Sequence, residues 1–141
     1  MPQTAILYPV FVQVALTFIL MFWTGYVRVG AVNRRQVRLK DIALGQHAWP
    51  DGAMKVSNSF NSQFEMPTLF YTVVILLLVA GRVTGLQIGL AWFFVATRLV
   101  HVAIYTGNNN LRYRLTVFAT GATAVLAMWI VLALQIMSGS N

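Results

Sequence analysis

The sequence predicts an all-α membrane protein, a bundle of four transmembrane helices formed by a single domain over residues 1–141. Hydrophobic residues make up 58% of the chain and charged residues only 9%, whereas a soluble domain has about a quarter charged residues. Four long apolar runs are separated by short polar segments, and each is long enough to cross a bilayer, which takes about 20 residues. The chain therefore lacks the charge needed to cover a water-facing surface.

The four predicted spans follow one another with little intervening chain. Pro67 lies inside the second span and is expected to kink it or to break one backbone hydrogen bond. The connection between Gly81 and Gly85 is so short that spans two and three are expected to be antiparallel neighbours. The fourth span is rich in small residues, which let helices approach closely either within one subunit or between subunits. The spans cover about residues 6–32, 56–80, 86–105 and 111–137.

The charged residues predict the orientation of the chain and the kind of partner it has. The net charge is +7, but the basic residues flank apolar spans, which is typical of a membrane protein rather than a nucleic-acid-binding one. The basic loop after span one and the basic segment around Arg112 and Arg114 are expected in the cytoplasm, with both termini outside. The chain has no cysteine and two distant histidines, so no metal site is predicted. His47 is expected to be uninvolved.

Polar residues inside the second and third spans share one depth. Glu65 is the only acidic residue within a hydrophobic segment, and a carboxylate there needs a partner or a role. Counted from the cytoplasmic ends of their spans, Glu65 and Arg98 both lie nine residues in, about 14 Å. Antiparallel packing therefore predicts a polar wedge that suits a small anionic ligand. Its predicted lining is Asn58, Asn61, Glu65, Arg98, His101, Tyr105 and Arg112, with Arg34, Arg35 and Arg38 over its mouth.

These residues also have purely structural interpretations. Glu65 and Arg98 would form a buried ion pair that fixes the register of the helices. His101 would be a hydrogen-bonded interior residue, and Tyr105 an interfacial aromatic of the kind common in membrane proteins. The arginines at the ends of the spans would serve only to set topology. The sequence alone leaves these alternatives open.

Three motifs in the chain resemble one family. Arg34-Arg35-x-x-Arg38 ends span one, and Asn61 stands six residues before Pro67 in a run that includes Phe64-Glu65-Met66-Pro67-Thr68-Leu69-Phe70-Tyr71. Arg98-x-x-His101-x-x-x-Tyr105 is followed by Asn108-Asn109-Asn110-x-Arg112, and this last motif is the most specific. With four spans and a long loop after the first, the sequence resembles bacterial members of the MAPEG superfamily, the membrane-associated proteins of eicosanoid and glutathione metabolism.

The resemblance implies a homotrimer that holds glutathione between neighbouring subunits. It implies that Asn61, Tyr105 and Arg112 match glutathione-contacting positions, with Arg112 stabilising the glutathione thiolate. Arg34 or Arg35 would assist at the lipophilic substrate or at the leaving group. Arg112 and Arg35 are therefore the catalytic candidates, and the other wedge and mouth residues are candidates for binding the substrate.

The expected function is that of a bacterial inner-membrane transferase or peroxidase that uses glutathione as co-substrate against small lipophilic electrophiles. Its other partners would be further copies of itself and membrane lipids, with no nucleic acid. Glutathione-using members usually have Arg and Glu where Ser57 and Phe64 stand here, and often Tyr at the position of His101. These departures favour the alternative, a non-catalytic trimeric membrane protein that binds a lipid or another small anionic ligand. Proton or ion movement through Glu65, Arg98 and His101 is disfavoured because no polar residues continue the path through the outer half.

Overall fold

A computed structural model describes residues 2–43 and 49–139 of the chain. A single 3-10 turn, Gln3–Ile6, leads into α1, Leu7–Asn33, and α2 is one short turn, Leu39–Ile42. Helix α3, Asp51–Ser62, is followed after a three-residue break by α4, Met66–Ala80. Helix α5 spans Gly85–Thr106 and α6 spans Leu111–Met137. His47 lies outside the described residues.

Within the described residues, four helical segments are long and apolar enough to cross a membrane. They are Gln3–Asn33, Asp51–Ala80, Gly85–Thr106 and Leu111–Met137. Large apolar side chains such as Phe22, Val79 and Leu134 are exposed on their outer faces. Such exposure is stable in a bilayer, because lipid tails are as apolar as these side chains. The predicted fold class, an all-α bundle of four transmembrane helices, is confirmed.

The second span is broken where Pro67 predicts a defect. Proline cannot donate the backbone hydrogen bond that a continuous helix needs, and Pro67 lies in the first turn of α4, where none is required. Three residues before α4 leave the helical path, and Glu65 adopts φ −96° and ψ −97°. Glu65 is thus the last residue before α4 and lies outside both helices.

The loop before α6 fixes how that helix starts. The side-chain oxygen of Asn110 accepts hydrogen bonds from the backbone N–H groups of Arg112, at 3.0 Å, and Tyr113, at 3.3 Å. This is an N-cap, which satisfies amide groups that have no partner within the helix. The preceding Asn109 has a positive φ of 53°, which asparagine tolerates better than most residues. The cap sets the direction of the arginines in the first turn of α6.

The apolar core fills the half of the bundle near the two ends of the chain. The rings of Phe70 in α4 and Phe94 in α5 have centroids 4.7 Å apart. Gly121 of α6 lies so close to α5 that a Cβ there would come within 2.5 Å of Thr97 Oγ1. This small residue of span four therefore serves close packing inside one subunit. The buried core residues are Ile6, Phe70, Val73, Val74, Leu77, Ala91, Phe94, Val95, Ala124, Val125, Met128 and Leu132.

Candidate functional site

A polar cavity of about 430 Å³ opens between α3, α5 and α6, in the half of the bundle that the apolar core leaves free. Five residues of the predicted wedge line it, and they come from α3, the break and α5: Asn58, Asn61, Glu65, His101 and Tyr105. Ser62, Arg114, Leu115 and Phe118 complete the lining. Two antiparallel spans therefore contribute polar side chains to one cavity, at which Asn61 and Glu65 are exposed.

Arg98 lies next to the cavity floor, but its side chain does not form the ion pair with Glu65 that the structural interpretation expected. Its side chain is only 2% exposed, and its Nη2 donates a hydrogen bond of 2.7 Å to Ser62 Oγ. Within the described residues no ion pair joins it to Glu65, whose side chain is exposed at the cavity. The Nε atom of Arg98 is buried and has no hydrogen-bond partner among the residues that the structure describes. Ser62, the last residue of α3, thus faces α5, whereas Glu65, in the break that follows, is exposed at the opening.

A buried chain of amides, which the sequence did not predict, connects this region to α1. Gln13 Nε2 donates to Gln63 Oε1 at 2.7 Å. Gln63 Nε2 in turn donates to the backbone oxygen of Ser59 at 2.8 Å and to Ser62 Oγ at 3.1 Å. Both glutamines are almost completely buried. The signal for this network was Gln13 itself, an uncharged polar residue in the middle of an apolar span, whose partner lies fifty residues away.

Arg114, rather than Arg112, is the cation of the cavity wall. The Arg114 guanidinium carbon lies 4.3 Å from the centroid of the Tyr105 ring, and its Nη1 donates a 2.6 Å hydrogen bond to Asn109 Oδ1. Arg112 is exposed and does not line the cavity. Two positions along a helix differ by about 200° around its axis, so the arginines point to different sides. The predicted wedge lining is corrected at this residue.

His101 belongs to the cavity wall, and its surroundings are mostly aromatic. The residue is 5% exposed, and its ring centroid lies 5.8 Å from that of Tyr105 and 6.2 Å from that of Phe118. Its Nδ1 is buried and has no hydrogen-bond partner among the described residues. The interpretation of His101 as a fully hydrogen-bonded interior residue therefore fails at this atom.

The basic cluster that follows α1 does not reach the cavity within one chain. Arg34, Arg35 and Arg38 are all exposed, and Arg34 lines a different groove, between α1 and α3. Arg35 has a positive φ of 58° at the end of α1. The sequence predicts these residues over the mouth of the wedge, but it does not contain the direction in which α1 ends. None of the three lines the cavity of its own chain.

Two of the three positions that depart from the glutathione-using pattern, Ser57 and Phe64, lie outside the cavity, whereas His101 lines it. Ser57 is buried, and its hydroxyl accepts a 3.1 Å hydrogen bond from Arg28 Nε of α1. The guanidinium of Arg28 also lies 5.0 Å from the ring centroid of Trp49. Phe64 is exposed and packs edge-to-face on Phe60, with ring centroids 5.2 Å apart. Neither position supplies a charge to the cavity.

The described residues contain no group of three His, Cys, Asp or Glu side chains that could hold a metal ion.

The sequence model of the MAPEG family matches residues 6–134. The chain belongs to the MAPEG family. The match covers nearly the whole chain, so the resemblance carried by the three motifs is confirmed. The protein is thus a membrane protein of the superfamily associated with eicosanoid and glutathione metabolism, whose members form oligomers. Comparisons with curated proteins and with solved structures gave no match.

Proposed function

We propose that this MAPEG protein is an integral membrane transferase or peroxidase that uses glutathione against lipophilic electrophiles. The observation that carries the proposal is the polar cavity of about 430 Å³, which has a guanidinium, a carboxylate and two amides in its wall. Small-molecule pockets have volumes of roughly 300–1,000 Å³ and a few well-placed polar groups. The carboxylates, ammonium group and amides of glutathione complement these side chains.

The charge around the cavity supports an anionic ligand. Arg114 stands in the wall and Arg98 is buried next to the floor, whereas Glu65 is the only acidic residue of the lining. A buried cation without a close ion pair is costly. A ligand with a net negative charge, such as glutathione at neutral pH, would offset that cost. Asn58 and Asn61 would orient the ligand through hydrogen bonds to its peptide groups.

The sulfur chemistry must come from the ligand, because the chain has no cysteine. A nearby cation lowers the pKa of a thiol, and the thiolate is the reactive nucleophile. We assign the stabilisation of the glutathione thiolate to Arg114, since it lines the cavity, whereas Arg112 is exposed. Leu115 and Phe118 form the apolar side of the same wall, against which a lipophilic electrophile would lie after entering from the bilayer.

The proposal extends to the assembly and its orientation. We place three copies in a homotrimer with one cavity at each of its three interfaces, so that Arg35 or Arg38 of one subunit reaches the cavity of its neighbour. The basic segments then face the cytoplasm of a bacterial cell and both termini the periplasm, which follows the excess of Lys and Arg in the connecting loops. Glutathione would enter from the cytoplasm, and the protein would reside in the inner membrane.

The test is conjugation of a chlorodinitrobenzene-type electrophile by the purified protein. We expect a glutathione-dependent rate, and we expect Arg114→Gln to lower kcat/KM about 10²-fold, as loss of one donor to a developing anion does. Arg112→Gln is the comparison, with the same loss of charge two residues earlier and a much smaller expected effect. A wild-type protein without a glutathione-dependent rate would remove the proposed activity. A larger loss at Arg112 would return the thiolate-stabilising role to that residue.

A second candidate function is a non-catalytic binding protein of the same family. It is favoured by Ser57 and Phe64, which supply no charge to the cavity. Glutathione would then leave the midpoint of thermal unfolding unchanged, because only a ligand that binds the folded state raises it. Stabilisation by another small anion, without turnover of any electrophile, would support this candidate.

A further inference from the structure

A second, larger groove lies between the C-terminal half of α1 and the start of α3. Its volume is about 740 Å³, and it shares no lining residue with the cavity. Met21, Phe22 and Val29 line its apolar length, while Asn33 and Arg34 line one end. The groove is therefore apolar along the helix and becomes polar and basic where α1 ends.

Two glycines of α1 create the depth of this groove. Gly25 and Gly30 both line it, and a Cβ added at either position would meet no heavy atom within 4 Å. The neighbouring Phe22 and Tyr26 are 69% and 76% exposed, so large side chains border the space that the glycines leave. A flexible apolar chain could lie there directly against the helix.

The length of the groove fits one leaflet of a bilayer. Met21 and Arg34 are thirteen positions apart, about 20 Å along a helix. Half of the hydrocarbon core of a bilayer is about 15 Å thick. An acyl chain in the apolar part would therefore place its head group at the level of Arg34.

The positive charge at the basic end of the groove favours an anionic ligand. Arg34 is followed within six residues by Arg35, Arg38 and Lys40, all of them exposed. Guanidinium groups match the geometry of phosphate, and basic clusters next to a span attract anionic lipids. Among the described residues, no acidic side chain lines the groove to oppose a phosphate at this end.

We propose that this groove is a binding site for an anionic phospholipid, with the phosphate at Arg34 and one acyl chain in the trough over Gly25 and Gly30. The lipid is bound without being consumed, and its binding does not require glutathione. The site is thus additional to the proposed glutathione cavity, and the failure of one proposal would not decide the other.

The test uses the purified protein in an uncharged detergent, without glutathione, and follows thermal unfolding while phosphatidylglycerol is added. We expect phosphatidylglycerol to raise Tm, and phosphatidylcholine to raise it less than half as much. Gly25→Leu fills the trough and Arg34→Gln removes the charge, and each should at least halve the shift. Gly89→Leu is the matched control for added bulk and helix propensity, since Gly89 also faces open space. Arg112→Gln is the control for the loss of an exposed cation, and both controls should keep the full shift.

Three outcomes would overturn the proposal. Equal shifts with the two lipids, or a full shift in both groove variants, would show that the groove does not select an anionic lipid. Stabilisation by inorganic phosphate equal to that by phosphatidylglycerol would show that the trough takes no acyl chain. A smaller oligomeric mass for Gly25→Leu, with the lipid shift intact, would make the groove an interface between copies of this chain.

Discussion

Arg114 is held in one direction by two neighbours that come from different elements. The ring of Tyr105 in α5 lies 4.3 Å from its guanidinium carbon, and Asn109 of the preceding loop accepts its Nη1 hydrogen bond at 2.6 Å. A guanidinium fixed in this way does not need to reorganise when negative charge develops beside it, which is the basis of electrostatic stabilisation in active sites. The aromatic ring of Tyr105 thus has a positioning role that is separate from any contact of its hydroxyl group with a ligand.

The first prediction separates the ring of Tyr105 from its hydroxyl group. Tyr105→Leu removes the aromatic face, whose attraction for a cation amounts to about 1 kcal/mol, and should lower kcat/KM roughly fivefold more than Tyr105→Phe does. Steady-state kinetics with glutathione as the varied substrate would measure the difference. Equal losses in the two variants would mean that the hydroxyl group, and not the ring, is the part of Tyr105 that matters.

At the scale of elements, α5 and α6 lie closer together than they could if every residue at their contact carried a large side chain. Gly121 lets the two helices approach at Thr97, where an added Cβ would lie 2.5 Å from Oγ1 and 3.4 Å from Cβ. Thr97 Oγ1 is itself fixed by a 2.6 Å hydrogen bond to the backbone oxygen of Phe94. Arg114, Leu115 and Phe118, which line the cavity, lie on the same helix as Gly121, nearer its start.

The second prediction concerns this helix pair. Gly121→Ala should destabilise the protein by about 1–3 kcal/mol, as overpacking a close contact does, and lower the midpoint of thermal unfolding in detergent by several degrees. Adding Thr97→Ala should restore most of the loss, because it removes the hydroxyl group that the new methyl meets. Gly89→Ala in α5 is the control, since it faces open space. A tolerated Gly121→Ala would show that α5 and α6 can separate at this point.

The elements differ in how far the sequence predicts them. Apolar length, the turn at Gly81 and the defect at Pro67 are local properties, so the spans and the break in the second span could be predicted. The meeting of polar residues from spans two and three in one cavity followed from helical rise and antiparallel order. The choice of Arg114 over Arg112 depends on how α6 packs against α5, which no local pattern contains.

At the scale of the whole molecule, the proposed site is divided between surfaces that one chain does not bring together. The cavity with Arg114 opens between α3, α5 and α6, whereas Arg35 is exposed beyond the end of α1 and does not line it. Members of the MAPEG family form oligomers, and in a cyclic assembly each cavity can face the basic cluster of the next subunit. The proposal that Arg35 is catalytic therefore depends on a neighbouring subunit.

The third prediction tests this dependence by mixing subunits. Chains with Arg114→Gln and chains with Arg35→Gln should each be nearly inactive alone, because every site then lacks one cation. When the two are co-expressed in equal amounts, random assembly into a cyclic trimer gives about one quarter of the sites an intact Arg114 from one chain and an intact Arg35 from the next. We therefore expect about a quarter of the wild-type rate of glutathione conjugation, measured on the purified mixed assemblies. A mixture no more active than its two parents would place both arginines of each site on a single chain, and full activity of Arg35→Gln alone would remove Arg35 from the reaction.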